Sequence, residues 1–476
     1  MSDDLIISGG GSRHSVSTEE MFVSADKLQR AADMTRDIAG AIQMVDARLT
    51  SRQLVDLAIP SAAMLAEDDL GFAYADLQRV VRRAELLSWQ VRLAADGYAM
   101  AETFAHGLSR KVAADAAAML GFLFPKHVAV LALTVTAVPI MVGLAAAAFI
   151  TGRSPAEVIA SEKFTAKLNA LITDPAFVMA VRFGVMNTDE LILGAAGVPP
   201  AFVSALSAAG IIGLPTAAGA IQRFGSTAGV LKETPVVLVS KSDTTRVQPA
   251  QSAQERIDRI PQPTLDEPFQ VRVEKTSFPG EPDSFEVYVS GTVDFAFADS
   301  EQPFDGTSNL SLAARQEAAA AAAVVAAMEE AGVTADSPLS LTGHSQGAAV
   351  AGWVAASGEY NVTAVLAFGG NTGQIAIPEG VNTVIVEHRD DIVPAAGGLQ
   401  DNHHAVRVTR EAFDDRPLPA GVPAPAHQLV EYRETARLMD EEDDEVLRDA
   451  IANFTPPASA GAVTTVTSYE FERVQP

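Results

Sequence analysis

Cysteine is absent from all 476 residues. That excludes disulfides, thiolate nucleophiles and cysteine-based zinc sites, and it says nothing against export. Positive charge is scarce: 34 Lys and Arg stand against 60 Asp and Glu, a formal net charge of −26. Such a field repels phosphate backbones and anionic headgroups, so no nucleic-acid partner is expected and any lipid contact must be apolar. A basic n-region and an apolar h-region are both missing from the opening MSDDLIISGGGSRHS, so a cleaved signal peptide is not expected. What the chain does have is hydrophobic residues at 48 %, which rules out a disordered polymer, and a length that calls for two or three domains.

Three regions differ in character. Residues 1–110 read as a helical hairpin. Met21, Val23, Leu28, Ala31, Met34, Ile38 and Ile42 keep helical spacing, and a second run includes Leu77, Val80, Val81, Leu86, Leu87, Val91 and Leu93. Ser17 and Glu20 fit a capping box. Residues 111–234 are apolar and alanine-rich. Within them Val128–Ile150 holds 23 residues without a charge, about 35 Å as a helix at ~1.5 Å per residue. That length crosses a hydrocarbon core of ~30 Å and equally suits a buried helical pair, so a membrane contact through 128–150 stays open. A weaker stretch of this kind is Ala201–Ile221.

From 235 to 476 the pattern is that of an α/β domain. A polar, proline-containing stretch, Lys241–Pro268, reads as a linker or wrapped arm. Strands are expected at Phe285–Ser290, Leu339–Thr342, Val362–Phe368 and Thr383–Glu387. Helices are expected over Ser311–Glu330, from Gln346 and, as the last, near His427. This alternation predicts a mostly parallel sheet covered on both faces, preceded by an all-helical N-terminal half. The acidic run Asp440–Glu445 reads as a solvated helix face.

Between an expected strand and an expected helix lies Gly343-His344-Ser345-Gln346-Gly347. G-x-S-x-G in that setting is a nucleophile elbow: the turn is too tight for Cβ atoms at its flanks, and the helix start aims amides at a developing oxyanion. A serine nucleophile needs a base and an orienting acid, ordered Ser, acid, His. Of eight histidines, His388, His403, His404 and His427 follow the serine. Chain order removes His388, which precedes the best acid. That acid is Asp391 in EHRDDIVP, with Asp390 as runner-up, and both lie after an expected strand where a loop can reach the site. His427 in PAPAHQLVEY is the preferred base; His403 and His404, at the expected start of a strand, read as surface or structural. The oxyanion donors assigned are the backbone N–H groups of Gln346 and of Thr292, in FEVYVSGTVD. No metal or organic cofactor is expected.

In order, VYVSGT, PFDGTSNL, TGHSQGA, VLAFGGNTGQ, EHRDDIVP and PAH resemble class 3 (fungal-type) triacylglycerol lipases over about residues 266–440. The resemblance implies an α/β-hydrolase fold and the Asp-x-Val-Pro position, Asp391, as the acid. It also implies a lid region at Asp294–Asn309, with Phe295, Phe297 and Phe304 as apolar positions; a plain surface loop is the other reading. The Gln of GHSQG departs from the Leu usual there and is more like cutinases and PE-PPE-type serine hydrolases, which leaves the acyl substrate open. The N-terminal region resembles the WXG/LXG hairpins of type VII secretion substrates, without their Trp-x-Gly turn. Tyr98 and Glu102 in GYAMAETF match that family's Y-x-x-x-D/E export pattern and, four apart, share a helix face. The expectation is a serine ester hydrolase acting on lipid or other acyl-ester bonds, handled by type VII machinery and found secreted or at the cell surface. An inert type VII-associated adaptor and an antibacterial lipase toxin are the alternatives.

Overall fold

The computed structural model describes residues 5–9, 18–51, most of 70–88, 162–186, scattered positions in 218–226 and, with gaps at 281, 296–299, 415 and 456–460, residues 231–474. The apolar segment 128–150, most of 201–221, Ser17 of the expected capping box, and Tyr98 and Glu102 lie outside the described residues. Among those described, no helix is long and apolar enough to cross a membrane. The chain divides into two compact units, Arg13–Val112 and the remainder, Met1–Ser12 with Ala113–Pro476.

The first unit contains helix α1, Thr18–Ser51, and further helical residues between 70 and 88. Its buried face carries Ala32 and Ala39, seven residues and two turns apart, whereas Met34 and Ile38 are exposed. The expected apolar stripe is therefore corrected in part: on α1 the fully covered positions are alanines, Leu28 and Ile42 are half-buried, and in the second run Val81 is buried while Val80 and Leu87 are exposed. Arg36 ties the two runs together through Asp33 and Glu85.

The second unit is a mixed α/β body around a large sheet. Its strands are β1 (Ile6–Gly9), β2 (Val236–Lys241), β3 (Thr245–Val247), β4 (Val271–Ser277), β5 (Ser284–Val289), β6 (Leu339–His344), β7 (Val362–Phe368), β8 (Asn382–His388), β9 (Val406–Arg410) and β10 (Val463–Arg473), in spatial order β1-β9-β8-β7-β6-β5-β4-β10-β2 with β3 on β10. The central strands β5 to β9 pair in parallel. The flanks β4, β10, β2 and β1 pair antiparallel. Composition explains the division. Strands β6 to β8 are almost wholly buried, as strands covered on both faces are; β7 (VTAVLAF) is nearly continuously apolar, while β6 and β8 add small or polar residues that stay largely covered. β10 alternates buried and half-exposed positions, the pattern of a one-faced antiparallel strand.

Between β1 and β2 in sequence come α2 (Glu162–Ile172) and α3 (Pro175–Met186), and around the sheet α4 (Ala253–Asp258), α5 (Gly306–Ala313), α6 (Ala319–Ala331), α7 (Gln346–Ser357), the short α8 (Ile392–Ala395), α9 (Leu429–Glu441) and α10 (Glu445–Ala452). One core packs α6 and α7 on the sheet, with Val324, Met328, Val350 and Val354 against Val287, Leu341 and Val365. The other packs α4, α9 and α10 on the opposite face through Ile257, Tyr432, Met439 and Leu447. Each fully buried side chain of this size contributes ~1.5–3 kcal/mol.

Several expectations are corrected. The single helix over Ser311–Glu330 is two, because Arg315 turns left-handed (φ 54°) between α5 and α6. The arm 241–268 is not a loose linker: it contains β3 and α4, and Arg256 of α4 is buried against Glu286 of β5 at 2.8 Å. The helix after His427 is not the last element, since α10 and β10 follow. In the acidic run, Asp440 accepts from the amides of Ala253 and Gln254, and Asp444 caps α10, so two of its carboxylates are structural. Residues 6–9, expected with the helical hairpin, are a strand of the main sheet. Residues 162–186, expected in a separate apolar region, pack on the loops beside the site described next.

Candidate functional site

β6 ends at His344 and α7 begins at Gln346, leaving Ser345 as the single residue of the turn. Its backbone sits at φ 56°, ψ −122°, a conformation costing about 1–3 kcal/mol for a side-chain-bearing residue. Close packing enforces it. A Cβ on Gly343 would lie 2.3 Å from Gly347, and one on Gly347 would lie 2.3 Å from the Val289 carbonyl. The Ser345 amide donates to Phe368 O of β7 at 2.9 Å. The flanking glycines are thus required by backbone approach from both sides.

Asp391 follows β8 and caps α8, its Oδ1 accepting from the Val393 amide at 2.9 Å. His427 closes a 3₁₀ turn, Pro425–His427, just before α9. The structure brings all three side chains together. His427 Nε2 lies 2.8 Å from Ser345 Oγ, and Nδ1 lies 2.7 Å from Asp391 Oδ2. Ser345 is 9 % exposed and Asp391 is 1 % exposed, so the contact is sheltered but reachable. Burial by itself would raise the Asp391 carboxyl; the His427 ring and the Val393 amide outweigh it and hold the group below the ordinary carboxylate value. An ionised carboxylate only accepts, so Nδ1 carries the proton and the Nε2 lone pair faces the serine hydroxyl.

Three aromatic neighbours surround this line. Tyr432 of α9 donates its hydroxyl to the same Asp391 Oδ2 at 2.8 Å, and its acidity is pushed far down by burial and by that carboxylate, so it remains a donor. His388 stacks on Tyr432 at 3.9 Å and bonds Ala426 O at 2.8 Å; His344 stacks on His427 at 5.0 Å and bonds its carbonyl at 3.1 Å. Burial, then the neighbouring His427, lowers His344 to about 3. Burial also lowers His388 to about 3. Both stay neutral near pH 7. Tyr432 itself carries no signal in the sequence, His344 enters there only as the second residue of G-x-S-x-G, and His388 only as a base that chain order removes. The one available signal was Gly369 in AFGGN, where a Cβ would lie 2.7 Å from the Tyr432 ring.

The other expected residues separate cleanly. Asp390 turns away, accepting from the Ala412 and Phe413 amides. His403 and His404 precede β9 rather than begin it. Thr292 lies one residue past Gly291, whose Cβ would be 3.3 Å from Ser345 Cβ; its Oγ1 accepts from Asn309 at 2.9 Å. Gln346 opens α7 next to the serine, and its side-chain Nε2 donates to Asp305 O at 3.0 Å. Among the described residues no acceptor takes the backbone N–H of either Thr292 or Gln346. In the expected lid region, the backbone at Asp294 forms an isolated parallel β-bridge with that at Asp305, Phe304 is fully buried and Phe295 is exposed. Phe297 lies outside the described residues. No group of three or more His, Asp or Glu side chains gathers to hold a metal among the described residues. Comparison with family models, curated proteins and solved structures finds no match to the chain.

Proposed function

We propose that the chain is a serine ester hydrolase, lipase- or esterase-like on an α/β-hydrolase body, cleaving carboxylic esters through an acyl-enzyme. One observation carries the reading: a single imidazole, His427, lies within hydrogen-bond range of both the Ser345 hydroxyl and a buried, ionised Asp391. Ser345 Oγ attacks the ester carbonyl while His427 Nε2 takes its proton. Asp391 stays ionised, stabilises the imidazolium and keeps the productive tautomer. The N–H groups of Gln346 and Thr292 donate to the oxyanion, a contribution typically worth 10²–10³-fold per donor. His427 returns the proton to the leaving alcohol, and water, activated by the same ring, releases the acid.

Support for a lipid ester comes from large apolar side chains left exposed near these elements in the chain: Val293 and Phe295 after Thr292, and Val430 after His427. With a net charge of −26, such contacts rather than basic ones would meet a lipid phase. The N-terminal helical pattern and the Tyr98–Glu102 spacing support delivery by type VII-like machinery to the surface or outside. The decisive experiment combines a fluorophosphonate probe with p-nitrophenyl esters of graded chain length. Labelling of Ser345 and its loss in Ser345→Ala are expected; an unlabelled, inactive folded protein would leave the inert adaptor.

A further inference from the structure

Residues 162–186 precede the sheet body's main run and lie outside the stretch that resembles lipases, yet they touch both loops that carry the acid and the base. On the base side, Asn169 of α2, 3 % exposed, donates from Nδ2 to Val422 O at 2.6 Å across 253 positions. Val422 sits in the loop that leads to His427, whose own amide donates to Ala424 O at 2.9 Å. That loop contains Pro417, Pro419, Pro423 and Pro425, which have no amide hydrogen, so it has few bonds of its own with which to hold a shape. On the acid side, Ile172, Val178, Val181 and Val185 form one apolar cluster with Ile392 and Ala395, the residues just after Asp391. Ala424 packs against the same cluster, so the two loops meet on these helices. Arg182 pairs with buried Glu387 of β8 at 3.1 Å.

Resting on the hydrolase reading above, we infer that α2 and α3 are a clamp, with Asn169 and Arg182 as positioning residues that hold the Asp391 and His427 loops in register with Ser345. The physical need is plain. Ser345 is fixed by the sheet, whereas the imidazole must reach it from a proline-rich loop, and a displacement near 1 Å costs on the order of 10²-fold in rate.

The test uses the full chain with Asn169→Asp, which is isosteric but loses the donor, Arg182→Gln, and Arg182→Lys, which keeps the charge. On p-nitrophenyl butyrate, with active sites counted by fluorophosphonate titration, the first two should lower kcat per site about tenfold or more and leave KM within about twofold. Arg182→Lys should recover most of that loss. Amide hydrogen exchange, which needs no activity, should speed up in both 391–398 and 418–427 in Asn169→Asp. Unchanged exchange in those loops overturns the clamp whether or not the protein is an enzyme; so does a kcat per titrated site equal to that of the parent. Should Asn169→Asp not fold, Arg182→Gln decides by the same two readouts. An inactive, unlabelled parent with accelerated exchange in the variant would retain the clamp and remove the hydrolase.

Discussion

Ser345 and His427 face each other across 2.8 Å, but they are held by opposite means. The serine is fixed by main chain: a strand end, a helix start, and carbonyl groups 2.3 Å from where glycine Cβ atoms would be. The imidazole and its carboxylate are fixed by side chains from elsewhere, among them Tyr432, His344 and Asn169. The placement of Ser345 is therefore most sensitive to a new Cβ at its flanking glycines, while the acid–base half can be altered through several side chains. For the proposed hydrolase, that division would keep the attack geometry constant while leaving proton transfer adjustable.

The comparison can be broken most severely at Asp391. Asp391→Asn keeps the shape but cannot hold Nδ1–H as an anion does, so kcat should fall on the order of 10³–10⁴-fold with little change in melting temperature. Steady-state ester kinetics on the folded variant check it. On the main-chain side, Gly347→Ala should cost about 3 kcal/mol of stability, because its Cβ meets Val289 O at 2.3 Å and backbone must shift; denaturant titration reads this directly. Tyr432→Phe keeps the His388 stack but removes one of two donors on Asp391 Oδ2, and kcat should drop about three- to tenfold. A Tyr432→Phe enzyme with full kcat would mean the carboxylate is held by His427 and Val393 alone.

A further prediction concerns pH dependence. His344 and His388 are lowered by burial to about 3 from 6.5, so between those values the unfolded chain binds protons that the folded one refuses. Stability must then fall as pH drops from about 6.5 toward about 3. Asp305 and Asp390, pushed up by burial to about 6, act in the opposite sense between 3.8 and about 6. The histidine window is the wider, so acid destabilisation should prevail. His388→Gln should flatten the slope of unfolding free energy against pH in that range, and an unchanged slope would remove His388 from the account.

The elbow was legible because its constraints are local: two glycines, a strand and a helix lie within a dozen residues. Asp391 and His427 were legible through chain order and their place after a strand and before a helix. Tyr432, His388 and the α2–α3 helices were not, because their role depends on contacts across 38 to 253 positions, which no periodicity encodes. The antiparallel flank was missed for a related reason. β10 pairs with β4 and β2, and a half-buried strand at one end of a chain carries no sign of which edge it will join. The stretch 241–268 hid its role in a simpler way: its polar composition gives no sign that Arg256 is buried against the Glu286 carboxylate.

The four residues of β1 seal the outer edge of β9, with Ile6 opposite Thr409. During synthesis that partner emerges some four hundred positions later, so β1 stays unmatched over the whole of that interval. An open row of amides and carbonyls on β9 invites pairing with a second chain until it is closed. Any fusion or substitution that hinders those few residues should thus betray itself as clumping of an otherwise folded body.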